Sequence, residues 1–271
     1  VADERHEIYA TRAGKAFRYI FEENAAALES AIANIDQSGE PVKLSDVTDV
    51  LVSYQCSGGN KHVYKVILMD SNSSRIISFG LLAAFKEPVK GKRFAFGEVS
   101  NLERASGSGV TPRFGASFSL IEHEDGSFAM AHSMDRNDVA YVNFYLEEWI
   151  EGAEVAQMML EDRFTGEHLG ALTRAIITLG EFLGFDNGRI RLPADLNARN
   201  IMFRMRKNAD GALYYDDPVI VDIGKVTLLR PGRIFYYLIR NYARHVEDGI
   251  GIMINALTEK MGLRDAYGFV Q

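Results

Sequence analysis

The chain has 271 residues, of which 47% are hydrophobic and 25% are charged, and its formal net charge is −7 with a pI near 5.5. This is the composition of a globular protein that is large enough for two hydrophobic cores. The acidic balance, with no clustered stripe of Lys and Arg, argues against a nucleic-acid partner. The single cysteine, Cys56, excludes an intramolecular disulfide framework and a thiolate metal cage.

Targeting and membrane signals are also weak. No apolar run approaches the roughly 18 residues that are needed to cross a bilayer. The charged start VADERHE differs from a secretory leader. We therefore expect no membrane span and a cytoplasmic location, and the oligomeric state stays open.

The first part of the chain changes from a helical period to a strand period. Apolar residues at helical spacing predict one long amphipathic helix over residues 15 to 36, which ends before Gly39 and Pro41. Three runs rich in Val, Ile, Tyr and Phe follow, with SGGN and SNSS between them: VTDVLVSYQC, HVYKVILMD and RIISFGLLAAFK. This pattern predicts an antiparallel meander.

The rest of the chain moves from strands to helices. A short helix over GEVSNLERAS precedes strands over FGASFSLIEHEDGSFAMAHS and AYVNFYLEEWI. A clear apolar stripe then predicts a helix over GEHLGALTRAIITLGEFLG, with Gly184 as its C-cap. Short strands flank the loops of RIRLPADLNARNIMF and PVIVDIG, and the insertion RMRKNADGALYYDD between them is predicted to be a solvent-facing hairpin. Helical segments at about 233 to 247 and 250 to 262 end the chain. We therefore predict the α+β class, with a strand-rich half before a helix-rich half.

Several residues of the types that bind ligands or take part in catalysis stand at the ends of these elements, in a fixed order. A single D-x-x-x-x-N match is usually only a polar turn, so the order is what matters. It begins with a small Gly-bearing turn, continues with a lysine at a strand end and a glutamate at a helix start, and ends in two acidic loops. The residues are, in this order, Ser57, Gly58, Gly59, Asn60, Lys86, Glu98, Asp195, Asn200 and Asp222.

Phosphoryl transfer from ATP needs this set of groups. Backbone N–H groups of a glycine turn approach phosphates closely, and a lysine held by a glutamate neutralises the α- and β-phosphates. A carboxylate and an amide oxygen bind Mg²⁺. A further carboxylate orients the attacking hydroxyl and accepts its proton.

These segments resemble the protein-kinase-like superfamily, and within it the small-molecule branch of aminoglycoside phosphotransferases and choline kinases. SGGNKHVYKV is similar to the phosphate turn of that branch, FYLEEWIEG to its hinge, and ADLNARNIMF with PVIVDIG to its catalytic loop and metal-binding segment. DLNARN is also similar to the catalytic loop of bacterial Kdo kinases, and the tail after DIG is similar to the YrbL family. The resemblance implies a two-lobed protein-kinase-like fold, with an antiparallel-sheet N-lobe, a mainly helical C-lobe and an extra N-terminal helix.

The resemblance also implies domain bounds. They are an N-terminal helical extension over residues 1–45, an N-lobe over 46–147, a hinge over 148–152 and a C-lobe over 153–271. It implies ATP and Mg²⁺ as cofactors, and a small molecule or sugar as the acceptor.

The same resemblance implies roles for the candidate residues. Asp195 would be the catalytic base, and Asn200 and Asp222 would be the Mg²⁺ ligands. Lys86 would bind phosphate beside Glu98, with Glu103 as the alternative partner. The remaining nucleotide contacts would come from the phosphate turn and from the hinge backbone: Ser57, Gly58, Gly59 and Asn60, with Glu148 and Ile150 facing adenine.

Three positions depart from the family pattern, and they keep alternatives open. Pro193 stands where a histidine usually braces the catalytic loop, Ile223 occupies the middle of the DFG segment, and Cys56 takes the place of the first glycine. A nucleotide-binding pseudokinase or regulatory module is therefore an alternative function, and a small bacterial effector kinase acting on proteins is another. The acceptor could be cationic, as the net charge suggests, or anionic, as the Kdo kinase likeness suggests.

Overall fold

The computed structural model describes residues 2–36, 41–57, 61–86, 97–131 and 140–270. It is a mixed α/β structure with an antiparallel sheet and seven α-helices in these ranges. The chain divides into two compact units: Val1–Ala95 with Arg113–Trp149, and Phe96–Pro112 with Ile150–Gln271.

Two helices begin the first unit, α1 (Ala2–Glu23) and α2 (Ala25–Ile35). The prediction of one helix over residues 15 to 36 was therefore wrong, because Asn24 leaves the helical conformation with φ −134° and ψ 37°. Hydrophobic periodicity does not register this break, since Ile20 before it and Leu28 after it are both buried in the same core.

Within the described residues, six strands form one antiparallel sheet in the order β1-β2-β3-β6-β4-β5. Their bounds are β1 (Asp49–Ser57), β2 (His62–Met69), β3 (Arg75–Lys86), β4 (Phe114–Glu122), β5 (Phe128–Met130) and β6 (Ala140–Glu148). The predicted meander is confirmed, since β2 pairs antiparallel with both β1 and β3.

The core of the first unit lies on one face of this sheet. Tyr64 of β2, Phe79 of β3 and Phe144 of β6 are at most 1% exposed, and they share one hydrophobic cluster with Phe17 of α1 and Ile32 of α2. Burying a side chain of this size stabilises a fold by about 1.5–3 kcal/mol. The two N-terminal helices are therefore part of the core of this unit.

In the part of the second unit that the structure describes, there are five α-helices and two small sheets of three strands each. Its helices are α3 (Gly97–Ala105), α4 (Val155–Leu160), α5 (Gly166–Leu183), α6 (Pro231–Asn241) and α7 (Gly249–Val270). Its strands are β7 (Gly152–Glu154), β8 (Phe185–Asp186), β9 (Arg189–Pro193), β10 (Ile201–Lys207), β11 (Leu213–Ile220) and β12 (Val226–Leu229).

Helix α5 is the buried support of the second unit. Its predicted apolar stripe is confirmed, and it ends at Gly184, whose φ of 100° suits glycine. Gly180 allows close packing against β9, because a Cβ at this position would come within 2.4 Å of the Ile190 side chain. The strand that leads to Asp195 is thereby held directly against the helix.

Strands β10 and β11 form the hairpin that the sequence predicts over RMRKNADGALYYDD. They pair antiparallel from Ile201 opposite Ile220 to Lys207 opposite Leu213. The side chain of Asn208 closes the exposed tip by accepting hydrogen bonds from the backbone N–H groups of Asp210 and Ala212.

Strand β7 pairs with β10 on the edge opposite β11. Gly152 is needed at this contact, because a Cβ there would lie 2.0 Å from the backbone oxygen of Phe203.

Candidate functional site

Two strand ladders of the second unit bring two loops side by side. One ladder, β9 with β12, pairs Pro193 with Val226, and the other, β10 with β11, pairs Ile201 with Ile220. Residues 194–200 and 221–225 therefore run between the same two ladders, and we call them the first and second site loops.

Backbone hydrogen bonds join the two loops at both ends. At one end the N–H of Ala194 donates to the oxygen of Lys225 at 2.7 Å, and at the other the N–H of Val221 donates to the oxygen of Asn200 at 2.9 Å. Asp195 lies next to the first of these bonds, and Asn200 and Asp222 lie at the second. The structure thus collects the three predicted acidic and amide residues of the helix-rich half in one loop pair.

Asn197 organises the first site loop. Its Oδ1 accepts hydrogen bonds from the N–H groups of Arg199 at 2.8 Å and Asn200 at 3.2 Å, and its Nδ2 donates to Oδ1 of Asp195 at 2.8 Å. The sequence analysis missed this residue, although an Asn that bonds backbone two residues onward is a known turn signal. The exposed carboxylate of Asp195 is thereby oriented by its own loop.

Asn200 and Asp222 offer oxygen atoms at the other end of the loops. Nδ2 of Asn200 donates to the backbone oxygen of Asp195 at 3.0 Å, an orientation that leaves Oδ1 of this amide as an acceptor for a ligand. Oδ1 of Asp222 accepts from the N–H of Gly224 at 3.2 Å.

This donor set fits Mg²⁺, which commonly takes one or two protein oxygen ligands and completes its shell with phosphate and water. A self-contained protein cage is a different arrangement. In the described part of the chain, no three His, Cys, Asp or Glu side chains stand together to form one.

Two tyrosines contact the first site loop from its other side. The hydroxyl groups of Tyr237 and Tyr242 both donate to the backbone oxygen of Leu196, each at 2.5 Å. Tyr242 is fully buried, whereas Tyr237 is half-buried. Burial is the main cause that raises the pKa of both phenols, and the negative charge of Asp195 raises it further. The sequence analysis predicted only a helix over this segment and missed these hydrogen bonds.

Residues 97–112 support the second site loop. Nδ2 of Asn101 in α3 donates to the oxygen of Ile223 at 3.2 Å, and the oxygen of Val110 accepts from the N–H of Ile220 at 2.9 Å. These contacts explain why this segment groups with the helix-rich unit, although the predicted lobe boundaries place it in the strand-rich one. Ile223 is 2% exposed and fills an apolar position in the loop.

The predicted phosphate-binding residues are described only in part. Ser57 ends β1 opposite His62, Lys86 ends β3 opposite Tyr141, and Glu98 lies in the first turn of α3. The side chains of these three residues lie outside the described part of the structure, as do Gly58, Gly59 and Asn60 entirely. Glu103, the alternative to Glu98, is exposed on α3. These assignments remain predictions.

The predicted hinge coincides with the end of β6. The division between the two units falls between Trp149 and Ile150. The N–H of Glu148 donates to the oxygen of Arg113 at 2.9 Å, and Ile150 is buried with 6% exposure. The backbone N–H of Glu148 therefore already has a partner, and the predicted contact of this residue with adenine would have to use its carbonyl oxygen.

Four basic residues lie on the site loops and on helix α6, which contacts the first site loop through Tyr237, in spite of the acidic balance of the chain. Arg199 lies in the first site loop and Lys225 in the second. Arg233 and Arg240 lie four residues before and three residues after Tyr237, and therefore on its side of α6. All four are exposed, and in the described part of the chain none of them forms an ion pair with a carboxylate.

A groove of about 980 Å³ lies elsewhere in the second unit. The start of α5, strand β11 and helix α7 line it, and Asp195, Asn200 and Asp222 are not among its lining residues. The candidate site is therefore the loop pair, which brings Asp195, Asn200 and Asp222 together.

Comparison with known proteins gives little further information. No protein-family profile matches the chain, and no curated protein sequence matches it. Among solved structures, WaaP in complex with acyl carrier protein is similar, with 12% identity and a TM-score of 0.47 over 82% of this chain and 85% of that one. Similarity at this level does not assign the chain to a family.

Within the described ranges, no helix is both long enough and apolar enough to span a membrane.

Proposed function

We propose that this protein is an ATP- and Mg²⁺-dependent phosphotransferase of the protein-kinase-like fold, which moves the γ-phosphoryl group to a hydroxyl of a small molecule or sugar. The observation that carries the proposal is the loop pair, in which Asp195, Asn200 and Asp222 share one location although 27 positions separate the first from the last. The order of the upstream residues, from Ser57 to Glu98, supports the same function.

Asp195 is assigned as the base. The Nδ2 group of Asn197 holds one carboxylate oxygen, and the second oxygen accepts the proton of the acceptor hydroxyl. The hydroxyl oxygen then forms a bond to the γ-phosphorus while the bond from that phosphorus to the β,γ-bridging oxygen breaks, and ADP leaves. Such a reaction depends on positioning and charge neutralisation, so few side chains are required.

Asn200 and Asp222 are assigned as the residues that would hold Mg²⁺. When bound, the ion neutralises the phosphate charge that develops in the reaction. The amide of Asn200 is suited to this role because its hydrogen bond to Asp195 fixes the direction of its oxygen. Lys86 with Glu98, the turn from Ser57 to Asn60, and the hinge backbone at Glu148 and Ile150 are assigned to ATP.

The local charge favours an anionic acceptor. Arg199, Lys225, Arg233 and Arg240 lie on the elements around Asp195, and their charges oppose the overall net charge of −7. A substrate meets the local potential of a site more strongly than the charge of distant surfaces, because salt screens charges beyond about 10 Å. A sugar that carries a carboxylate or phosphate suits this site better than an aminoglycoside.

The test is transfer of radiolabelled γ-phosphate to a panel of acidic sugars, neutral sugars, amines and proteins. We expect transfer to an acidic sugar, and we expect Asp195→Ala to lower it by roughly 10²- to 10⁴-fold. Nucleotide binding, measured by thermal shift with ATP and Mg²⁺, should persist in this variant. Asp210→Ala at the exposed hairpin tip is the matched control and should keep full turnover.

Turnover retained by Asp195→Ala would contradict the assignment of the base. A regulatory nucleotide-binding module is the second candidate, favoured by Pro193 and Ile223. Stabilisation by ATP without Mg²⁺ dependence, together with no transfer to any acceptor, would support that module. Transfer to proteins alone would support an effector kinase.

A further inference from the structure

The first site loop has no histidine brace. Pro193 stands two positions before Asp195, is buried, and pairs with Val226 in the β9–β12 ladder. A proline side chain cannot donate a hydrogen bond. If Asp195 is to keep a defined direction, the loop must be held by other groups.

The oxygen of Leu196 is where the loop is held. Leu196 directly follows Asp195, and its carbonyl oxygen accepts hydrogen bonds from both Tyr237 and Tyr242. A carbonyl oxygen has two lone pairs, so the two phenols satisfy it completely. Fixing this carbonyl fixes the peptide plane between Leu196 and Asn197, and Asn197 is the residue whose side chain donates to Asp195.

The two phenols are themselves well placed. Their rings meet edge to face with centroids 6.3 Å apart. Tyr237 belongs to the last turns of α6, and Tyr242 follows the helix end with a non-helical φ of −131° and ψ of −53°. Tyr242 also packs against Phe164, with ring centroids 6.4 Å apart, and is anchored in the core. Two different backbone conformations thus direct two hydroxyl groups to one oxygen.

We propose that Tyr237 and Tyr242 are positioning residues. Their two hydrogen bonds to the Leu196 carbonyl, which we call the tyrosine clamp, orient the Asp195 carboxylate and so replace the missing histidine brace. This inference rests on the proposed role of Asp195 as base. Because burial raises the pKa of both phenols, they stay protonated, and therefore stay donors, throughout the neutral range.

The experiment compares Tyr237→Phe, Tyr242→Phe and the double variant with the control Tyr236→Phe, a neighbouring tyrosine that is 63% exposed. Removing one such hydrogen bond should lower kcat by about three- to tenfold, and removing both should lower it further. The KM for ATP should not change, because neither phenol is assigned to the nucleotide. Tyr236→Phe should match the wild type in both constants.

Hydrogen exchange of the peptide that covers residues 194–200 provides a readout that does not depend on activity. We expect faster exchange in this peptide in the two single variants, and unchanged exchange in the α5 peptide. If the double variant fails to fold, Tyr237→Phe still decides, since Tyr237 is only half-buried.

Unchanged loop exchange, or an unchanged kcat in variants whose loop exchange is faster, would overturn the clamp. Retained turnover in Asp195→Ala together with faster loop exchange in the tyrosine variants would overturn the proposed base and leave the clamp as a structural device.

Discussion

The six-stranded sheet of the first unit and the two site loops of the second unit are built on opposite principles. In the sheet, side chains such as Tyr64 and Phe144 are at most 1% exposed, and regular strand pairing satisfies the backbone. In the loops, Asp195 is exposed, and the side chain of Asn197 replaces strand partners for the backbone. The sheet therefore supplies stability through burial, whereas the polar groups of the loops hold the loops in place through hydrogen bonds to one another.

The largest expected effect concerns the sheet. Phe144→Ala removes a buried ring from the centre of the first core and should lower the free energy of unfolding by about 3–5 kcal/mol. Asp195→Ala, at an exposed loop position, should change it by no more than about 0.5 kcal/mol. Chemical denaturation of both variants measures this contrast, and equal losses would remove the distinction between the two regions.

The second prediction separates order from chemistry inside the first site loop. Asn197→Ala removes the acceptor of two backbone N–H groups and should cost about 1 kcal/mol of unfolding free energy as well as turnover. Asn197→Asp keeps that acceptor but replaces the donor to Asp195 by a second carboxylate. It should therefore keep more stability than Asn197→Ala while still losing turnover.

Denaturation curves and transfer assays on both Asn197 variants provide the measurement. If Asn197→Asp keeps full turnover, the hydrogen bond from Asn197 does not orient Asp195.

The smallest expected effect is a pH dependence. In the folded state, burial raises the pKa of Tyr237 and Tyr242 above the unfolded value of about 10. Their contribution to stability is therefore complete below about pH 10 and is lost as the pH rises through the folded pKa values. The wild type should lose unfolding free energy above pH 10 more steeply than the Tyr237→Phe/Tyr242→Phe variant. Parallel pH curves for the two proteins would show that the phenols are not deprotonated in this way.

Periodicity in the sequence predicted most of the elements but not how they are held together. The structure confirms the meander, helix α5 and the β10–β11 hairpin. These predictions succeeded because each element has a strong local sequence pattern. The break at Asn24 was missed because one residue leaves the apolar stripe intact. The grouping of residues 97–112 depends on tertiary hydrogen bonds at Asn101 and Val110, and local sequence does not encode them.

The candidate site shows the same limit. Asp195, Asn200 and Asp222 were predicted as one site from their order, and the structure places them in adjoining loops. The tyrosine clamp was missed because Tyr237 and Tyr242 lie more than 40 positions from Leu196 and have the spacing of ordinary core residues. Hydrogen bonds over such a distance along the chain cannot be inferred from helical periodicity.

The β10–β11 hairpin separates sequence distance from spatial distance in this site. Since Ile201 and Ile220 pair at its base, residues can be added or removed at the tip around Asp210 without moving Asn200 relative to Val221. The interval between the two motifs is therefore a poor criterion for finding relatives of this chain in a sequence search. The exposed tip is also a natural position for a fluorescent label or an affinity tag, because strand pairing isolates it from the loops below.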